Sequence, residues 1–199
     1  CLLAGGLAAA LSLTACSSTT NYKDPSEVET TTHGYGLTDL HIIAGEMAEK
    51  MVLSPNLNYL ENPAKGDDKR ILLAMGTVNN RTSEHIDVAG ITDSIRAKLL
   101  ESGKFRILAT GQGQDDLGDQ VRFQQGSGRV DPAWAREFGK QLGAELVLYG
   151  NLRSIDKEKS KTFGGKLKDT YYQFVLEAVN VETGEILFLD QVEIRKVTK

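Results

Sequence analysis

Cysteine is almost absent from this 199-residue chain, which has only Cys1 and Cys16, both near its start. The body of the chain has no thiol, which excludes a disulfide framework, a thiolate metal site and a cysteine nucleophile there. Histidine is scarce: His33, His41 and His85 are the three, and none has a second His or Cys at metal-ligand spacing. A surface position is the simpler reading of each. The formal net charge is only −4, so no polyanionic partner such as nucleic acid is implied. No apolar run approaches the roughly 20 residues of a bilayer-spanning helix, and no G-x-S-x-G elbow is present. The paired carboxylates Asp67-Asp68 and Asp115-Asp116 fall in segments that read as loops, whereas an acid/base pair needs one desolvated carboxyl. Gly111-Gln112-Gly113-Gln114 lacks the Gly-Lys-Ser/Thr ending of a phosphate loop, and the two aspartates after it would repel phosphate. These absences point to a binding protein rather than an enzyme, with no metal and no diffusible cofactor.

What is present begins with Leu13-Thr14-Ala15-Cys16, which follows the apolar run Leu2 to Leu13 and precedes Ser17-Ser18-Thr19-Thr20. A run of about a dozen apolar residues fits the h-region of an export signal. Its ending resembles a bacterial lipobox, in which Cys16 would carry a thioether-linked diacylglycerol and an acylated amine. Two or more chains, at about 0.8 kcal/mol per buried methylene, give stable anchoring. The expected division is a truncated signal peptide over residues 1–15, lacking Met and a basic n-region, then the lipidated Cys16 and a disordered linker over 16–37. The linker is polar and without hydrophobic period. Ser17, where a retention signal would place Asp, favours the outer membrane.

The folded domain is expected over 38–199. Leu40, Ile43, Met47 and Met51 recur at helical spacing, with Thr38 as N-cap and Ser54-Pro55 as the stop. Ile71 to Met75 is an unbroken apolar run suited to a central strand buried on both faces. Asn79 to Ser83 reads as a loop. Val88, Ile91, Ile95 and Leu99 mark a second helix, capped by Asp87 and stopped by Gly103. Phe105 to Ala109 is a second strand, and Thr110 to Val130 a long polar loop. Asp131-Pro132 opens a third helix, with Ala135, Phe138 and Leu142 facing inward. Leu146 to Tyr149 is a third strand. Two further strands, Asn151 to Lys159 and Thr170 to Asn180, flank a charged hairpin, and a last one runs from Ile186 to Val197. The order predicts an α/β single-domain sandwich with a mixed sheet and flanking helices.

Four segments carry a resemblance: Val78-Asn79-Asn80-Arg81-Thr82, Ser102-Gly103-Lys104-Phe105, Gly143-Ala144-Glu145-Leu146-Val147-Leu148-Tyr149-Gly150 and Glu182-Thr183-Gly184-Glu185-Ile186. In this order and spacing they resemble the LpoB family, outer-membrane lipoproteins that activate a class A penicillin-binding protein, a bifunctional peptidoglycan synthase. The resemblance covers the chain from about Leu37 onward, together with the lipobox. It implies a fold similar to the N-terminal domain of TolB. It also implies docking on a small non-catalytic domain of the synthase, with stimulation of glycan polymerisation and cross-linking. Tyr149 matches the family's Val-Leu-Tyr and Glu185 its Thr-Gly-Glu turn, so both would lie on a synthase-binding face. Asn79, Asn80, Arg81 and Thr82 match the loop after the first strand.

Bland readings stand beside these. Tyr149 could be a core tyrosine, and Asn79 to Thr82 could simply cap a turn. The basic hairpin Asp156 to Asp169, with Lys157, Lys159, Lys161, Lys166 and Lys168, reads either as a guarded sheet edge or as an added contact for an acidic patch. The linker, with Pro25 alone, is shorter than the Pro-rich linkers of the family. An alternative role is that of the related curli-secretion lipoproteins, which oligomerise into a pore; the charged hairpin offers no alternating apolar segment to face lipid. Cys16→Ala in the full precursor is expected to abolish incorporation of labelled palmitate and to release the protein from the membrane fraction.

Overall fold

The helical spacing of Leu40, Ile43, Met47 and Met51 becomes one face of α1 (Leu37–Leu53), with Ile43, Met47 and Met51 fully buried. Each such side chain contributes about 1.5–3 kcal/mol by leaving water. The protein is described by a computed structural model over residues 23–29, 34–109, 111–131, 133, 143–160 and 166–198. After α1 come two short 3-10 turns, Pro55–Tyr59 and Pro63–Lys65, then β1 (Ile71–Arg81), α2 (Val88–Glu101), β2 (Phe105–Ile107), α3 (Gln112–Gly126), β3 (Leu146–Ser160), β4 (Lys166–Asn180) and β5 (Ile186–Thr198).

The five strands form one sheet in the order β2-β1-β3-β4-β5. β1 is parallel to both β2 and β3, whereas β3, β4 and β5 form an antiparallel meander. The sheet is therefore mixed, as the element order predicts. Ile71, Leu72 and Leu73 are all buried, which suits the central place of β1. α1 packs against α2 and β5, while α2 packs on β1 and β2. Between helices and sheet lies one core, into which Leu148, Leu152, Tyr172, Phe174, Leu176 and Val192 project with Ile91, Ile95 and Leu99 of α2. Asp87 caps α2, its Oδ1 accepting from Ala89 N at 2.9 Å, and the helix ends just before Gly103, as expected.

Several boundaries differ from expectation. The N-cap of α1 is Gly36, not Thr38; Gly36 N donates to Asp39 Oδ2 at 2.8 Å, while the Thr38 hydroxyl accepts from Glu29 N at 2.8 Å. Asn79, Asn80 and Arg81 are strand, not loop. An irregularity between Met75 and Val78 shifts the register, after which these three residues pair with Asn151, Leu152 and Arg153. A bulge of this kind inserts a residue without ending the ladder. The polar segment after β2 is helix rather than loop. Asp115 sits in the first turn of α3, where a negative charge favours the helix dipole, and an Arg122–Asp119 pair one turn apart adds to it. α3 buries no residue, so hydrophobic pattern could not reveal it. The expected third helix, with Ala135, Phe138 and Leu142, lies outside the described residues.

β3 runs unbroken from Leu146 to Ser160, where the sequence suggests two strands divided at Gly150. The glycine does not end the strand; it makes room. A Cβ there would stand 3.2 Å from Phe174 Cζ and from Val78 Cγ2. Gly76 of β1 is tighter still, with a Cβ placed 2.7 Å from both the Leu148 carbonyl oxygen and a Tyr149 ring carbon. Gly76→Ala should therefore cost about 1–3 kcal/mol of stability through overpacking, read as a lower urea midpoint with unchanged slope.

Candidate functional site

Alternation along the meander divides the sheet into two faces. One is the core. On the other, cross-strand register places Val147, Val179 and Ile186 in one row, and Tyr149, Glu177 and Leu189 in the next. The rows beyond hold Asn151, Val175 and Gln191, then Arg153, Gln173 and Glu193, then Ile155, Tyr171 and Arg195. Among the described residues neither α1 nor α2 packs on this side of the meander. Tyr149 is 39% exposed and Leu189 60%. The Tyr149 ring lies against the backbone of Gly76, which holds a rigid amphipathic surface toward solvent.

This settles the place of each residue singled out from sequence. Tyr149 is on the open face, not in the core. Glu185 lies in the turn between β4 and β5 and accepts from the Thr183 hydroxyl at 2.9 Å. Asn79 and Arg81 are exposed at the far end of β1. Asn80 turns the other way, its amide donating to the carbonyls of Glu84 (2.9 Å) and Ile86 (3.2 Å), while its Oδ1 accepts from Thr82 N and Oγ1. Asn80 and Thr82 thus shape the β1–α2 connection. The six residues do not form one cluster: Glu185 and Thr82 stand at opposite ends of the sheet. Cys16 lies outside the described residues. His41 and His85 are exposed, and His33 is not described.

Sequence reasoning missed Leu189, Ile186 and Glu177, although the period-two alternation of β4 and β5 carries them. It also missed Arg153, which neighbours Arg81 in register. Neither arginine has a counter-ion among the described residues, and together they make a positive spot beside the Tyr149 rows. Of the other charges nearby, Glu193 Oε1 accepts from Gln173 Nε2 at 3.1 Å, and Arg195 forms a bidentate pair with Asp169 at 3.0 and 2.6 Å.

A second constellation ties the N-terminal segment to the sheet at the hairpin end. Lys196 Nζ of β5 donates to Asp39 Oδ2 at 2.7 Å and to Gly34 O at 2.6 Å. Tyr35 N donates to Glu84 Oε2 at 3.0 Å, and the Tyr172 hydroxyl donates to the other oxygen of Glu84. The rings of Tyr35 and Tyr172 meet edge to face at 5.7 Å. Tyr35 Oη is buried and has no hydrogen-bond partner. Burial first, and the Asp39 carboxylate second, hold the Tyr35 phenol well above its ordinary value of 10. Burial, then the Glu84 hydrogen bond, do the same to Tyr172.

An open β-face on a two-layer α/β scaffold defines a binding module, and among the described residues no group of three or more His, Cys, Asp or Glu could hold a metal. The comparisons then give the family. The model described as peptidoglycan-synthase activator LpoB matches residues 39–194, and the chain belongs to that family. It is a family of envelope lipoproteins that activate penicillin-binding proteins, regulators rather than enzymes. No curated protein matches the sequence. Among solved structures, the LpoB C-terminal domain from Salmonella enterica is similar at 18% identity over 79% of this chain and 99% of its own, with a TM-score of 0.44. The corresponding domain from Escherichia coli shows 20% identity over 78% and 98%, with a TM-score of 0.42. The NMR structure of E. coli LpoB shows 17% over 98% and 88%, at 0.43. Among the described residues no helix is long and apolar enough to cross a membrane.

The raised tyrosines set an alkaline limit. A phenol held above its unfolded value keeps its full stabilisation below pH 10 and loses it as pH rises through the folded value. Stability should fall above pH 10. Tyr35→Phe removes the unpartnered hydroxyl, so it should gain about 1 kcal/mol at neutral pH and move the alkaline unfolding midpoint upward. Tyr172→Phe, which strands Glu84, should instead lose about 1–2 kcal/mol at neutral pH.

Proposed function

We propose that this chain is an outer-membrane lipoprotein, acylated at Cys16, whose domain docks on a small non-catalytic domain of a class A penicillin-binding protein and stimulates glycan polymerisation and cross-linking. The observation that carries the reading is the match to the activator family across residues 39–194, nearly the whole of the two-layer domain. The open face supplies a docking surface of suitable chemistry. Tyr149 offers the rigid aromatic contact typical of interface hot spots, Leu189 and Ile186 extend it with apolar area, and Arg81 and Arg153 suit a partner that presents carboxylates. Glu185 borders the same face at the β4–β5 turn.

The tether bears on reach. Glu29 is already bonded to the start of α1, through Thr38 Oγ1 and Leu37 N, so the span from Cys16 to this first contact is at most roughly 45 Å. The tethered end is the hairpin end of the sheet, so the β4–β5 turn is the end farthest from the anchor. Activation follows from differential binding: the lipoprotein must prefer the synthase's active state to its resting state.

Pull-down with the organism's class A synthases, followed by a glycan polymerisation assay, tests this. Tyr149→Ala should weaken binding by about 30-fold, the ~2 kcal/mol of a hot spot, and Leu189→Asp by at least as much, both with unchanged circular dichroism. Binding to no class A synthase, or full activation by both variants, would sink the proposal.

A further inference from the structure

Past the row of Arg81 and Arg153 the open face changes character. Its next rows hold Ile155, Tyr171 and Arg195, then Lys157, Asp169 and Val197. Each carries one cation beside an apolar residue that stands well out of the sheet: Ile155 is 55% exposed and Val197 50%. Asp169, the one acid of these two rows, is held by the Arg195 guanidinium. Arg81 and Arg153 in the adjoining row add two cations against Glu193. In sequence, the hairpin from Lys157 to Lys168 has five lysines against Glu158 alone. The whole chain has a formal net charge of −4, so this end of the face runs against its sign.

The other described acids of this end lie on the opposite side of the sheet. Asp39 is 3% exposed and bonded to Lys196. Glu84 takes the Tyr172 hydroxyl, Asp156 accepts from the Thr170 hydroxyl at 2.8 Å, and Glu158 stands opposite Lys168. The entering chain is held at this same end, where Gly34 O accepts from Lys196 Nζ at 2.6 Å, one position from both Arg195 and Val197.

We propose that this basic and apolar end of the open face docks on an anionic phospholipid surface, with Lys157 and Arg195 among the headgroup phosphates and Ile155 and Val197 against the acyl boundary. The inference rests on the acylation of Cys16 proposed above, which keeps a bilayer within reach. Interfacial binding is the sum of buried apolar area and attraction to anionic lipids, and these rows supply both. Lysine stems lie along apolar surface while their heads stay in the polar layer. A lipid-tethered domain needs only a weak contact of this kind, because the anchor makes the encounter intramolecular. An acidic protein surface would account for the cations but not for the exposed Ile155 and Val197.

The test is vesicle co-sedimentation of the mature chain from residue 16 with Cys16→Ser, which removes the acylation site. Vesicles of phosphatidylglycerol and phosphatidylcholine in equal parts should bind it about tenfold tighter than phosphatidylcholine alone, and about 0.5 M salt should abolish the difference. Lys157→Ala and Arg195→Ala should each weaken binding about fivefold, and Ile155→Ser about threefold. Arg96→Ala, a cation of the helical layer, should leave it unchanged, with the circular dichroism of every variant matching the parent. Equal binding to both kinds of vesicle, binding to neither, or binding untouched by Lys157→Ala and Arg195→Ala would overturn the proposal. So would binding to soluble polyglutamate that is as tight as to the anionic vesicles and unaffected by Ile155→Ser, which would assign the patch to an acidic protein. The assay contains neither acyl chains on the protein nor a synthase, so its failure is separable from that of the acylation and activator readings, which fail by palmitate labelling and by pull-down.

Discussion

The pairing of Asp39 with Lys196 is the contact on which the arrangement turns. It joins the first helix to the last strand across 157 positions. The Asp39 side chain is 4% exposed and that of Lys196 21%. Removing one partner of such a buried pair leaves an uncompensated charge, a loss of about 3–5 kcal/mol. The same two residues hold the entering chain, through Gly34 O and Gly36 N. One polar clamp therefore ties α1 to β5, starts α1 and holds the segment that enters it. Tyr35, Tyr172 and Glu84 extend it across β4 to the connection after β1.

With α1 and α2 held on one side, neither of these helices covers the other side of the meander among the described residues. A half-solvated antiparallel sheet normally carries polar residues outward. Here the outward rows nearest the β4–β5 turn hold Val147, Val179, Ile186, Tyr149 and Leu189 instead. This apolar surface is rimmed by Arg81, Arg153 and Glu193, and it is the surface on which the proposed docking rests. Gly76 lets the Tyr149 ring come close to the backbone of β1, where a side chain would hold it off.

The clamp holds the segment Gly34 to Gly36 at the end of the sheet opposite the β4–β5 turn. An activator needs no catalytic group of its own; it needs a rigid face presented at the correct distance, and a preference for one state of its partner.

The sequence by itself determined the elements whose burial is periodic. α1, α2, the central strand at Ile71 to Leu73 and the mixed order of strands were all legible, because burying one face imprints a period of 3.6 or 2 on the residues. So were the family and the place of Tyr149 and Glu185 in its motifs. α3 was not legible, since it buries nothing and leaves no stripe. Nor was the continuity of β3, because a glycine that makes room for Phe174 reads the same, in one dimension, as a glycine that ends a strand. Only the tertiary structure decided that Asn80 faces inward while Asn79 and Arg81 face out, since a single bulge changes the phase of all three. It alone brought Tyr35 to Tyr172, Lys196 to Asp39 and Lys65 to Glu145. Those contacts join residues dozens to more than a hundred positions apart, and no local pattern records which distant charge will meet which.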